Sequence, residues 1–245
     1  MAMPSSQAAS HKPQVAVGAG QARLLSGVLL CLAAAILYLA VPRFMAGVAV
    51  APHGATLAAL DKTSPSNIAA QDRARNAHRR ALAWHDDPQS HAALGALSLA
   101  ASARASLAGD PVAAREALAS SALEHRAALV LAPLQPYVWT RLVQDELADG
   151  GPSLEAARHM RMAIDTAPWE PALMTPRLGL AFVLWENFDA ETRERLNLQI
   201  RHAARLYPTS LARQARSYRA QDHVLQALDN DPDLLRRFSL AYSRI

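Results

Sequence analysis

The sequence predicts an all-α protein in which a single N-terminal transmembrane helix precedes a solenoid of antiparallel helix pairs. Three observations carry this expectation. Leu24 to Val41 is an almost wholly apolar run of eighteen residues, broken only by Ser26 and Gly27. Beyond Pro52, apolar residues recur at helical spacing and are punctuated by capping residues followed by Pro. No segment alternates β-branched and polar residues, so strands are not expected.

Taken in order, residues 1–22 are small, polar and aperiodic, with Pro4 and Pro13, and read as a disordered tail. Residues 23–47 read as the anchor. Its apolar run would extend about 27 Å as a helix, close to the hydrocarbon thickness. Lys12 and Arg23 precede the run and no acid does. That bias places the tail in the cytoplasm and the remaining domain outside it, hence in the periplasm for a bacterial inner membrane. Arg43, on the far side, weakens the bias. The rival is a cleaved secretory signal, with Val48-Ala49-Val50-Ala51 as the cleavage site. The apolar run exceeds the ~7–15 residues usual in such signals, and Pro52 would follow the cut, so the uncleaved anchor is preferred. Cys31 lies mid-run without a lipoprotein signature. As the sole cysteine it forms no internal disulfide.

Residues 48–64 read as a linker and 65–245 as the helical domain. Helices are expected at 65–85, 88–108, 111–132, 136–149, 153–166, 172–187, 190–207, 209–219, 221–229 and 232–243. Ser64-Pro65, Asp87-Pro88, Asp110-Pro111, Thr175-Pro176 and Asp231-Pro232 each pair a capping residue with Pro at the first helical position. Asp189 is a further cap. Gly109 and Gly150-Gly151 suit helix ends. Abundant Ala favours helices packed closely through small side chains.

An Ala followed five residues later by Pro recurs at Ala83/Pro88, Ala128/Pro133, Ala163/Pro168, Ala203/Pro208 and Ala227/Pro232. Ala156, Met160 and Ala163 before Pro168 form a small-large-small stripe, and Leu196, Ile200 and Ala203 before Pro208 share its spacing. Small residues let one helix approach another, the large residue fills the gap, and Pro ends the helix. With Trp139 and Leu142 opening the preceding helix, residues 134–168 resemble one unit of the tetratricopeptide repeat family. The proline spacings on either side, 45 and 40, exceed that family's period of about 34. Val143 and Leu196 also stand where the family carries small residues. The resemblance spans 66–232. It implies a curved stack of helix pairs with a concave partner-binding face, and no chemistry. The phrases from Leu131 to Trp139 and Pro168-Trp169-Glu170-Pro171 look most like small membrane-anchored proteins of polysaccharide loci.

The net charge of +4 is unevenly spread. Arg193, Arg195, Arg201, Arg205, Arg213, Arg216 and Arg219 stand against Glu191 and Glu194, which marks either a solvated face or a surface for an anionic partner. A domain outside the cytoplasm excludes nucleic acid. Trp169, in a Pro-flanked turn, has more scope to face solvent than Trp139 and Trp185, which lie on apolar stripes and read as core. Trp169, Arg201, Arg205, Arg213 and Arg216 are therefore the candidate partner-binding residues. The densest metal-like group, His85, Asp86, Asp87 and His91, reads as cap chemistry around Pro88. His125 and His159 read as surface or groove histidines. No phosphate loop, nucleophile elbow or zinc-protease motif occurs, and Asp145 and Glu146 are the only acids worth inspecting for glycan chemistry.

The expected function is thus a non-enzymatic, membrane-anchored scaffold without metal or cofactor. It would bind a protein partner in an envelope assembly, polysaccharide biosynthesis or export being one such assembly. An anionic polymer or lipid headgroups are the other candidates for its arginines. The alternative is a periplasmic chaperone-like or translocon accessory protein. If 134–168 is a unit as read, Ala163→Arg overpacks its helix pair and lowers the thermal midpoint; an unchanged midpoint refutes the register.

Overall fold

The computed structural model describes residues 19–60 and 68–245, with side chains from residue 23 onward. All regular structure among the described residues is helical, with no strands. The chain divides into two compact units, Met1–Phe44 and Met45–Ile245. The tail expected to be disordered lies outside the described residues up to residue 18, and residues 19–22 are already helical.

Helix α1 runs Ala19–Val50, longer at both ends than the expected anchor. It is the one helix among the described residues long and apolar enough to cross a membrane, a property an anchor and a signal sequence share. Pro42 lies inside it and removes one ladder hydrogen bond. The Arg43 guanidinium donates to the Leu39 carbonyl one turn back at 2.9 Å.

The linker expected at 48–64 is helical where it is described. A 3-10 turn at Ala51–His53 leads into α2, Gly54–Leu60. Its sequence GATLAAL is built largely from good helix formers, and it packs against α3 (Ile68–Trp84) and α4 (Pro88–Leu107). Packing therefore decided what the small-residue composition left open. Ser64-Pro65 lies outside the described residues.

The remaining helices follow the sequence closely. They are α5 (Pro111–Leu131), α6 (Pro136–Gly150), α7 (Leu154–Thr166), α8 (Pro171–Val183), α9 (Ala190–Leu206), α10 (Pro208–Ser217), α11 (Gln221–Leu228) and α12 (Pro232–Ser243). A 3-10 turn, Trp185–Asn187, follows α8 and shortens the helix expected to reach 187. Asp87, Asp110, Asp189 and Asp231 each accept from the backbone amide three residues on, as does Ser153. Thr175-Pro176 does not start a helix. The start lies at Pro171, with the Glu170 carboxylate accepting from Ala172 N, and Pro176 sits inside α8. Leu173 and Met174, in its first turn, are both buried.

Each of α4–α7 packs against the next, and α6 also meets α8. Helix α9 packs against α8, α10, α11 and α12. The stripe Ala156, Met160, Ala163 is wholly buried, and so is Leu196, Ile200, Ala203; both belong to one core reaching from Val143 to Phe238. A second, smaller core joins Ala128, Leu129, Val138 and Leu142, and Trp139 packs against both. Trp185 is buried as expected, while Trp139 is half-buried.

The α4–α5–α6 region is held by polar groups as well. Ser102 donates to the Ala114 carbonyl at 2.8 Å. Ser121 Oγ lies 2.9 Å from the Gly95 carbonyl and 2.7 Å from Asp145 Oδ1, and its one hydrogen serves one acceptor at a time. His125 Nδ1 donates to Asp145 Oδ2 at 2.6 Å. These groups are fully buried, so His125 is a core residue and not the surface or groove histidine expected. Gly95 admits it: a Cβ there would stand 2.5 Å from the imidazole. Gly95→Ala should therefore cost about 1–3 kcal/mol, read as a lowered unfolding midpoint. An unchanged midpoint would show that the ring moves aside freely.

Candidate functional site

The turn between α7 and α8, residues 167–170, presents Trp169 to solvent with 55% of its surface exposed. Three helices hold this turn. From α8, Arg177 Nη1 donates to the Ala167 carbonyl at 2.7 Å. From α9, Gln199 Nε2 donates to the Pro168 carbonyl at 3.2 Å. From α6, the Tyr137 hydroxyl donates to Glu170 Oε1 at 3.1 Å. The Trp169 ring lies 5.2 Å from the His202 imidazole, tilted by 53°.

Beside the indole is an open cavity of about 220 Å³, lined by Ile164, Asp165, Pro168, Trp169, Arg195, Leu198 and Gln199. Leu198 remains 44% exposed. Arg195, Leu198, His202 and Arg205 follow one another along one face of α9 at helical spacing. The surface thus combines an exposed aromatic, an exposed Leu and basic groups.

Only part of the expected arginine surface is free. Arg201 is engaged with Glu194 at 3.0 Å and the Ala227 carbonyl at 3.5 Å. Arg216 donates to the Tyr242 carbonyl at 3.0 Å and lies over its ring at 4.9 Å, tying α10 to α12. Arg195 pairs with Asp165 and Glu191, and Arg161 pairs with Glu191 and Asp189. Hydrogen bonds from Arg195 and Arg161 hold the Glu191 carboxyl below its ordinary range, and hydrogen bonding to Thr192 does the same for Asp189. Arg205 and Arg213 are exposed and, among the described residues, make no ion pair or hydrogen bond. Trp169 is thus brought to the α9 face that carries Arg205, whereas Arg201 and Arg216 serve the packing of neighbouring helices.

The metal-like group around Pro88 resolves as expected for Asp87, which caps α4. His91 sits between Glu124 at 2.6 Å and Asp86 at 2.8 Å. Burial works against its charged form, yet hydrogen bonds to both carboxylates outweigh it and raise the pKa. Burial lowers His78 and also His223, whose ring stacks on Trp185 at 4.4 Å. Ser121, His125 and Asp145 have the composition of a nucleophilic triad but not its geometry. The Ser121 hydroxyl lies on the Nδ1 side, 3.5 Å away, while Nε2 has no partner.

Sequence reasoning missed Arg177 and Gln199. Arg177 is fully buried, with Nε and Nη2 unpartnered. Burial depresses it to about 10, and Glu170 and Tyr137 oppose the shift only in part. Its signal was present: Leu173, Arg177 and Ala181 share one i, i+4 stripe, which places an arginine at an inward position. No protein-family model, curated protein sequence or solved structure matches the chain.

The fall of Arg177 from its ordinary value to about 10 corresponds to about 3 kcal/mol against holding the charge there. The penalty is fully present below about pH 10 and fades as pH rises toward the unfolded value. Arg177→Met removes it together with one charge-assisted hydrogen bond of about 1.5–3 kcal/mol. Global stability should change by less than about 1.5 kcal/mol, while acrylamide quenching of a single-tryptophan variant retaining Trp169 increases as the turn loosens. A loss above about 3 kcal/mol would contradict this account of an uncompensated charge.

Proposed function

We propose that the protein is a non-enzymatic scaffold anchored by α1 in the bacterial inner membrane. On this reading the tail is cytoplasmic and the helical domain is periplasmic, where it binds a protein partner of an envelope assembly. The observation that carries this reading is the Trp169 turn. An exposed indole that stands beside a cavity and is braced from three helices supports a contact surface there. Anchoring rests on the length and apolarity of α1, and orientation on the charges flanking it.

A tetratricopeptide-like stack supplies the architecture of this reading. Helices α6/α7 and α8/α9 would be successive pairs. The contact of α6 with α8 fits neighbouring first helices, and the ion pairs from Arg161 and Arg195 across α7 and α9 fit neighbouring second helices. Polysaccharide biosynthesis or export is the assembly that the sequence phrases favour. Arg205 and Arg213, without an ion pair among the described residues, would meet acidic groups on the partner.

A photo-reactive residue at Trp169, activated in intact membranes, should yield one defined envelope partner, with capture weakening as salt rises. A broad smear of unfolded exported chains would replace the scaffold with the chaperone-like reading, and absence of any crosslink would refute the site.

A further inference from the structure

Away from the Trp169 turn, α6 and α7 bring three metal-ligating side chains together. Glu155 and His159 lie four residues apart on α7 and so share a face, and Glu146 reaches them from α6. One ligand atom from each lies within 4.8 Å of the others. We propose that Glu146, Glu155 and His159 form a binding site for a divalent first-row transition-metal ion that clips α6 to α7.

The three groups converge without yet standing at coordination distances. Both Glu146 oxygens accept from His159 Nδ1 at 2.9 Å, and a metal ion would take the place of that shared proton. Tetrahedral ligands on bonds of ~2.1 Å stand about 3.4 Å apart, so a set that lies within 4.8 Å must close by about an ångström. Glu155 can supply that movement, since it is exposed and makes no hydrogen bond among the described residues. The imidazole is aligned from the other side by Trp139, stacked at 5.3 Å, whose indole nitrogen donates to the Pro133 carbonyl. Glu146 and His159 are mostly sheltered, with 12% and 21% of their side chains exposed. Arg126 Nη2 lies 3.5 Å from Glu146 and is the competing cation, but it is 54% exposed and can swing away.

One imidazole and two carboxylates suit Zn²⁺ or Mn²⁺ better than Mg²⁺ or Ca²⁺, with water completing the shell. The ion would brace the helix pair that best matches the repeat pattern, independently of what the Trp169 surface binds.

The test is calorimetric titration of the tag-free full-length chain in detergent with ZnCl₂ and MnCl₂, with MgCl₂ as comparison. One equivalent should bind, and the thermal midpoint should rise with the ion. Glu155→Gln, an exposed change that leaves the fold intact, and His159→Gln should each weaken binding roughly tenfold or more and abolish the midpoint rise. Absence of Zn²⁺ and Mn²⁺ binding, or binding that persists in the double variant, would overturn the proposal.

Discussion

A buried arginine that makes no ion pair among the described residues braces the turn that exposes Trp169. Arg177 gives one hydrogen bond to the Ala167 carbonyl and leaves the rest of its guanidinium unpartnered. A charge so placed works against folding. The arrangement makes sense as the inner brace of the 167–170 turn, completed by Gln199 from α9 and Tyr137 from α6. With its backbone carbonyls held from inside, the turn can expose Trp169 without loosening. Stability is given up in the core and positional definition is gained at the surface.

The rest of the domain achieves close packing by different means on its two sides. Between α7, α8 and α9 the contacts are small-large-small stripes, in which Ala156, Ala163 and Ala203 let Met160 and Ile200 fill the space between helices. Between α4, α5 and α6 the interior is partly polar. His125 Nδ1 donates to Asp145, Ser121 donates to either Asp145 or the Gly95 carbonyl, and Gly95 leaves room for the ring. Such a network specifies one register for three helices more sharply than alanines alone.

Much of this was legible in the sequence because it depends on local chemistry. Asp–Pro pairs predicted starts that the structure reproduces at Pro88, Pro111 and Pro232, and the long apolar run predicted α1. Trp169 was legible as the tryptophan with more scope for exposure because prolines flank it. What was not legible depends on packing. Thr175-Pro176 looks like a helix start, but it lies inside α8, whose start at Pro171 is capped by Glu170. Residues 54–60 carry too little pattern to show that their alanines would meet α3 and α4. The arginines of α9 and α10 look alike in sequence, and only the positions of Glu194 and Tyr242 separate bound Arg201 and Arg216 from free Arg205 and Arg213.

The central claim is that the Trp169 turn is fixed before any partner arrives. Backbone order parameters for the Trp169 and Glu170 amides, measured by NMR relaxation on the partner-free protein, address it directly. The account predicts values near those of the flanking helices, about 0.85. Values below about 0.6 would mean that the three braces do not hold the turn and would contradict the account.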